Sequence, residues 1–228
     1  MSAFSSWTRA AACLALAGAM LPFATLPASA ENKTTPAFDA FVKAFADVKD
    51  YQLQIVTHET SDDGKSVQDR VYAYRWGRPS FARIEILEGP GKGGVASWSG
   101  GDKIHGHQGG ILSMIHITSD INDARAVSLR GDNLEVTSFP WEIKHFETFP
   151  GTLSEADGPT IDGQATTAVT LTVADPKANK NVSRDVLYIG KERHLPLRRE
   201  QYVGSQLVKT ETYKAIKLNN GFAPGDFN

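Results

Sequence analysis

Between Phe38 and Tyr51 the apolar residues of this chain change their period, and the new period then persists almost to the C-terminus. Phe38, Phe41, Val42, Phe45 and Val48 recur at the spacing of one helix face, with Asp39, Lys43, Asp47 and Lys49 placed elsewhere around it. From Tyr51 onward strict alternation takes over: Tyr51, Leu53 and Ile55, then Asp62-Asp63-Gly64 as a hairpin turn, then Val71 to Trp76. Further strands are expected at 81–88, 94–99, 103–108, 111–117, 165–174, 184–190, 195–203 and 206–218, punctuated by Gly-Gly, Pro-Gly and Asp-Pro pairs. Strands at such even spacing, without regular intervening helices, predict a mainly β chain: a single antiparallel sheet that curls into an incomplete barrel. A second helix is expected over 138–148. Ser138 is its N-cap, Pro140 lies in its first turn, and Phe139, Ile143 and Phe146 form its apolar stripe.

The N-terminal thirty residues stand apart. Arg9, an apolar run from Ala10 to about Leu26, and Ala28-Ser29-Ala30 before Glu31 have the order of a cleaved secretory signal peptide, here 1–30. The one cysteine, Cys13, lies within that run and leaves with it. Export without a disulfide implies a fold held by an ordinary core, in a setting such as a bacterial periplasm. No linker or repeat divides 31–228, which is expected to be one domain. Without Arg9 the 24 basic residues become 23 against 26 acidic ones, a net charge of about −3 that argues against a nucleic-acid partner.

A curled sheet with two amphipathic helices leaves open what fills its concave side. Either the helices pack there as a solid core, which the sequence alone favours, or they cover an apolar cavity as a lid. The alternating rows Tyr72/Tyr74/Trp76 and Ala82/Ile84/Ile86 supply the apolar face in both cases. Few motifs carry chemistry. Gly89-Pro90-Gly91-Lys92-Gly93-Gly94 lacks the spacing of a phosphate loop and reads as a wide hairpin connection. If Gly109-Gly110 is a two-residue turn, His105, His107 and His116 share one sheet face, which is the arrangement a metal-dependent hydrolase would need. Glu142-x-x-His145 reads as an exposed helix face, and no nucleophile elbow or Cys/His pair occurs.

Several segments, taken in order, resemble the LolA-like periplasmic lipoprotein carriers and their half-barrel relatives on the receptor side and among sigma-factor regulators. They are the helix with Phe38, Phe41 and Phe45 before Tyr51, the strand Val71 to Trp76 running into Gly77-Arg78-Pro79, and Phe81-Ala82-Arg83-Ile84. Val95 to Ser99, Gly100-Gly101-Asp102-Lys103-Ile104, and the closing Leu218-Asn219 and Asp226-Phe227 complete the set. The resemblance implies a half-barrel under a helical lid and a non-enzymatic carrier without cofactor. Its cargo would be the acyl chains of a lipoprotein or a lipid, exchanged with inner- and outer-membrane transfer partners. On this reading Tyr72, Tyr74, Trp76, Ile84, Ile86 and Trp98 line the cavity. By position the lid latch is Arg78, or Arg83 one strand further in. A metal-dependent periplasmic hydrolase at the histidines and an envelope-stress sensor that recognises protein are the alternatives.

Overall fold

The computed structural model describes residues 34–227; the expected signal peptide, 1–30, lies outside them. Helix α1 (Pro36–Phe45) opens the described chain, with the Thr35 hydroxyl accepting a hydrogen bond from the Phe38 N–H as its N-cap. Six strands follow: β1 (Asp50–Thr60), β2 (Val67–Gly77), β3 (Phe81–Glu88), β4 (Val95–Trp98), β5 (Lys103–His107) and β6 (Ile117–Asp120). A long crossover, 121–150, carries α2 (Phe139–Thr148). Five more strands complete the chain: β7 (Gly151–Asp157), β8 (Thr166–Val173), β9 (Arg184–Gly190), β10 (Pro196–Val203) and β11 (Gln206–Leu218).

All eleven strands form one antiparallel sheet in the order β6-β5-β4-β3-β2-β1-β11-β10-β9-β8-β7. The chain starts in the middle, meanders to one edge, crosses to the other edge and meanders back to pair β11 with β1. The edge strands β6 and β7 do not pair with each other, so the barrel stays open. Period-two alternation sends Tyr51, Leu53, Ile55, Tyr74, Trp76, Val169, Leu171, Leu187 and Tyr213 to the concave face, where they pack into one core with Phe38, Phe41 and Phe45 of α1 and Phe139 and Phe146 of α2. Phe139 is the hub. Its ring stacks on Tyr51 at 4.8 Å and meets Phe41, Phe45 and Tyr213 edge-on at 5.3–5.9 Å, while its N–H donates to the Tyr51 hydroxyl. The closing segment returns along the outer face, where Phe227 stacks on Phe81.

Ser138 caps α2 as expected, its hydroxyl accepting from the Trp141 N–H. Two expectations are corrected. The strand at 111–117 is a 3-10 turn at Gly110–Met114 followed by β6, which pairs Lys103 with Asp120 and Gly106 with Ile117. A two-residue hairpin turn here needs positive φ at Gly109, yet Gly109 is extended, and it packs so closely on the Lys92 carbonyl that a Cβ would collide. Strand β7 escapes sequence reading because five of its seven residues are exposed and only Leu153 is a large apolar side chain on its inner face.

Replacing Phe139 by alanine removes the ring that joins α2 to the sheet. The expected destabilisation is about 3–5 kcal/mol in urea unfolding, at the upper end of core truncations.

Candidate ligand cleft and the charged cluster at its floor

The concave face is divided along its length. At the end nearest Tyr51, α1 and α2 fill it. Beyond Ile55 no helix covers the sheet, and the crossover residues 124–137 arch over a cleft of about 850 Å³. Ile55, Tyr72, Ile84, Ile86 and Ala96 build an apolar strip along its sheet wall, which Gln68 and Arg70 of β2 also line. Leu134, buried in the core, and Val127 and Leu129 face them from the crossover. The volume lies within the roughly 300–1,000 Å³ of small-molecule sites.

Of the residues expected to line a cavity, Tyr72, Ile84 and Ile86 do so. Tyr74 and Trp76 point the same way but sit nearer the helices, where Tyr51 lies 5.9 Å and 5.5 Å from them and Phe45 covers Trp76. They are solid core. Trp98 is also buried, its indole N–H donating to the Gly101 carbonyl. The two arginines part company. Arg78 donates to the carbonyls of Val48 at 2.7 Å and Ala46 at 3.0 Å, just beyond the C-terminus of α1, whereas Arg83 turns to the outer face and donates to the Ser97 hydroxyl. The three histidines meet on that outer face, in a depression of about 390 Å³. His107 and His116 lie 5.2 Å apart and His105 bonds Thr118. Among the described residues no three histidine, cysteine or carboxylate side chains are placed to hold one ion.

The floor of the cleft is a feature that the sequence reading missed. Beyond Ile55 the inward positions of β1 turn polar, at Thr57 and Glu59, and the facing positions of β11 are Glu211 and Lys209. The Lys209 ammonium is 3.0 Å from Glu211 and 3.3 Å from Glu59 and also bonds Asp132 of the crossover. Burial pushes such an ammonium down, but the three carboxylates outweigh it and hold Lys209 well above its ordinary range. Burial likewise raises Asp132, and Lys209 and Lys180 more than reverse this. The network continues under α2. Arg199 grips Asp185 with two hydrogen bonds of 2.9 and 2.6 Å and lies 3.8 Å from Glu211 and 4.0 Å from Glu142. Glu142 and His145, expected on an exposed helix face, are buried at 1% and 6% exposure. The correction has a physical cause: the polar inward positions of β9 to β11 offer them partners, Tyr213 donating to Glu142 and Asp185 lying 3.5 Å from His145. Burial drives the Glu142 carboxyl up to about 8 although Arg199 and Tyr213 favour its ionised form. Parity was the available signal. Glu59, Asp185, Arg199, Lys209 and Glu211 all occupy inward positions of strands drawn from the sequence.

The crossover is tied down at this end. Arg130, itself buried, pairs with Asp62 at 2.8 Å and donates to the carbonyls of Thr60 and Lys180, while Asp132 also bonds Lys180.

No protein-family model matches the sequence, and no curated protein matches it. Solved structures do. An uncharacterized conserved protein from Thermus thermophilus superposes with a TM-score of 0.50 at 10% identity, over 84% of this chain and 90% of that one. The Mycobacterium tuberculosis lipoprotein LppX is similar at 0.49 and 15% identity, over 82% and 95%. A LolA superfamily protein from Nitrosomonas europaea is similar at 0.40 and 13%, over 86% and 98%. At these identities the likeness is one of fold.

Glu142 gives the fold a measurable pH dependence. The folded protein keeps this proton up to about pH 8, whereas the unfolded chain releases it near 4.5. The native state therefore binds more protons across that window, and the contribution of Glu142 to stability is lost as pH rises through it. Glu142→Gln has no proton to release. Its stability relative to the wild type should increase between about pH 5 and 8, by at most about 1.4 kcal/mol per pH unit in urea titrations. A pH-independent difference would show that Glu142 is already ionised in the fold.

Proposed function

We propose that this protein is a non-enzymatic carrier of the cell envelope that holds an acyl chain, of a lipoprotein or a lipid, in the cleft between the concave sheet face and the crossover. One observation carries the reading: Ile55, Tyr72, Ile84, Ile86 and Ala96 form an apolar strip along the sheet wall of the cleft, while Lys209, Glu59, Glu211 and Asp132 at its floor are paired with one another. An acyl chain gains about 0.8 kcal/mol for each CH₂ taken out of water and asks for no hydrogen bonds. Lys209, Glu59, Glu211 and Asp132 satisfy each other, so the apolar strip beside them is left to contact with the chain. The export signal and the ordered motifs shared with lipoprotein carriers support the same assignment, as does the periplasmic setting they imply.

Loading and release then require the cover to move. Arg78 binds the end of α1, a helix fixed by its phenylalanines, so it secures the solid half of the molecule. The cover of the cleft is the crossover, and Arg130 is its clasp. On this account the latch role expected for Arg78 or Arg83 passes to Arg130.

Two measurements test the proposal. Ile86→Glu places a carboxylate on the cleft wall and should abolish binding of a fluorescent fatty-acyl probe while the protein stays folded, because a charge there must be desolvated or must draw in water. Wild-type protein that ignores the probe would end the carrier reading. Arg130→Leu should speed probe release in stopped-flow dilution by roughly tenfold, as expected for losing about 1.4 kcal/mol of hydrogen bonding and charge pairing. Arg78→Leu should leave release close to wild type.

A further inference from the structure

Past Tyr72 the inward row of β2 turns polar and cationic. Arg70 and Gln68 line the cleft there, and the guanidinium of Arg70 stands where the apolar strip ends: a Cβ at Gly91 would lie 3.1 Å from the terminal methyl of Ile86 and 3.8 Å from Nη2 of Arg70. Neutral groups hold the guanidinium in place. Its Nε donates to the Pro90 carbonyl at 2.8 Å and its Nη1 to the Tyr72 hydroxyl at 3.3 Å. Among the described residues no carboxylate forms an ion pair with Arg70, and the acidic residues around it are otherwise engaged or face away. Asp69 lies on the outer face and bonds His58, and Glu88 lies opposite the outward-facing Val71. Inside the cleft Glu59, Asp132 and Glu211 converge on Lys209. Glu59, which pairs across β1 with Gln68, also accepts from the Arg130 N–H. Lys92 lines the cleft two residues beyond Pro90 and has no ion pair among the described residues, whereas Arg125 is taken up by Asp123 through hydrogen bonds of 2.9 and 2.8 Å.

We infer that Arg70, together with Lys92, is a head-group site, and that the cargo of the cleft is an anionic acyl amphiphile whose tail follows the apolar strip and whose carboxylate or phosphate meets the guanidinium. The inference rests on the carrier reading and names the class of lipid. A guanidinium has five N–H donors, and the Pro90 carbonyl and the Tyr72 hydroxyl use two of those on Arg70. Neither acceptor neutralises its charge. An oxyanion does both, through charge-assisted hydrogen bonds about twice as strong as neutral ones. Because Pro90 and Tyr72 already fix the planar fork, little side-chain freedom is lost when the anion binds. The sequence of surfaces fits the same ligand: five apolar side chains in a strip, then an unpaired cation at its end, is the complement of a hydrocarbon chain with a charged head. A neutral lipid would fill the strip and leave the cation without a counter-charge.

Displacement of the fluorescent fatty-acyl probe by three lipids of one chain length tests it: palmitate, palmitoyl lysophosphatidylglycerol and the uncharged monopalmitoylglycerol. Wild-type protein should bind at least one of the two anions roughly tenfold more tightly than the neutral lipid, the gain expected from one charge-assisted contact. Whichever anion binds better names the head as carboxylate or phosphate. Arg70→Gln should erase the preference while leaving affinity for monopalmitoylglycerol near wild type, and Arg70→Lys, which keeps the charge, should retain part of it. The inference is overturned if the wild type binds all three lipids alike or if Arg70→Gln keeps the full preference. Loss of all three lipids in Arg70→Gln and Arg70→Lys alike would also overturn it, by making Arg70 a support of the Pro90 loop. Inorganic phosphate that displaces the probe as well as the lysolipid does would assign the arginine to a soluble ion and refute it too. The failures of the two readings differ: a protein that binds the three lipids equally keeps the carrier and loses the head-group site, and one that ignores the probe and every lipid loses both.

Discussion

The stack of Phe139 on Tyr51 decides how the concave face is used. It joins α2 to the central strand of the sheet at the point where Phe41 and Phe45 of α1 also converge, and so closes one half of the half-barrel with aromatic rings. Phe139 is the first residue of α2; of the crossover residues 124–137 before it, Leu134 joins the core while Val127 and Leu129 arch over the rest of the sheet. The solid half is built around that one contact. A crossover that entered its helix a turn earlier would bury different rings and leave a different space.

The open half is kept open by charge. A row of buried ions is a weak source of stability, since desolvation offsets much of the attraction between partners, and apolar substitutes are often as stable. Its effect here is geometric. The ammonium of Lys209 is ringed by carboxylates from β1, β11 and the crossover, which holds the cover at a fixed distance from the sheet. Apolar residues at those positions would draw the crossover down and close the cleft as a core. Arg199 and Asp185 extend the same network under α2, where the neutral Glu142 carboxyl completes it.

Much of this fold was legible because period-two alternation is a direct record of burial. Strands β3, β9 and β11 fall where the pattern places them, and Ser138 caps α2 as its position before Phe139-Pro140 implies. The failures share a cause, which is that alternation reports the face of a residue but not what lies opposite. Tyr72, Tyr74 and Trp76 share a face, yet only Tyr72 extends beyond the helices into the cleft. Glu142 and His145 look like a solvated helix face until the polar inward positions of β9 and β10 are seen beneath them. The segment at Gly109-Gly110 packs against the Lys92 carbonyl, a neighbour distant in sequence that alternation does not report. The charged floor was within reach, since Glu59 follows Tyr51, Leu53, Ile55 and Thr57 at every second position.

The central claim, that the cleft holds an acyl chain, is tested most directly by native mass spectrometry of protein purified without detergent. The account predicts a population heavier than the bare chain that releases an acyl-bearing lipid on activation in the gas phase. A spectrum containing only the bare chain after purification in the presence of membrane lipid, or a mass increment matching a metal ion, would contradict it.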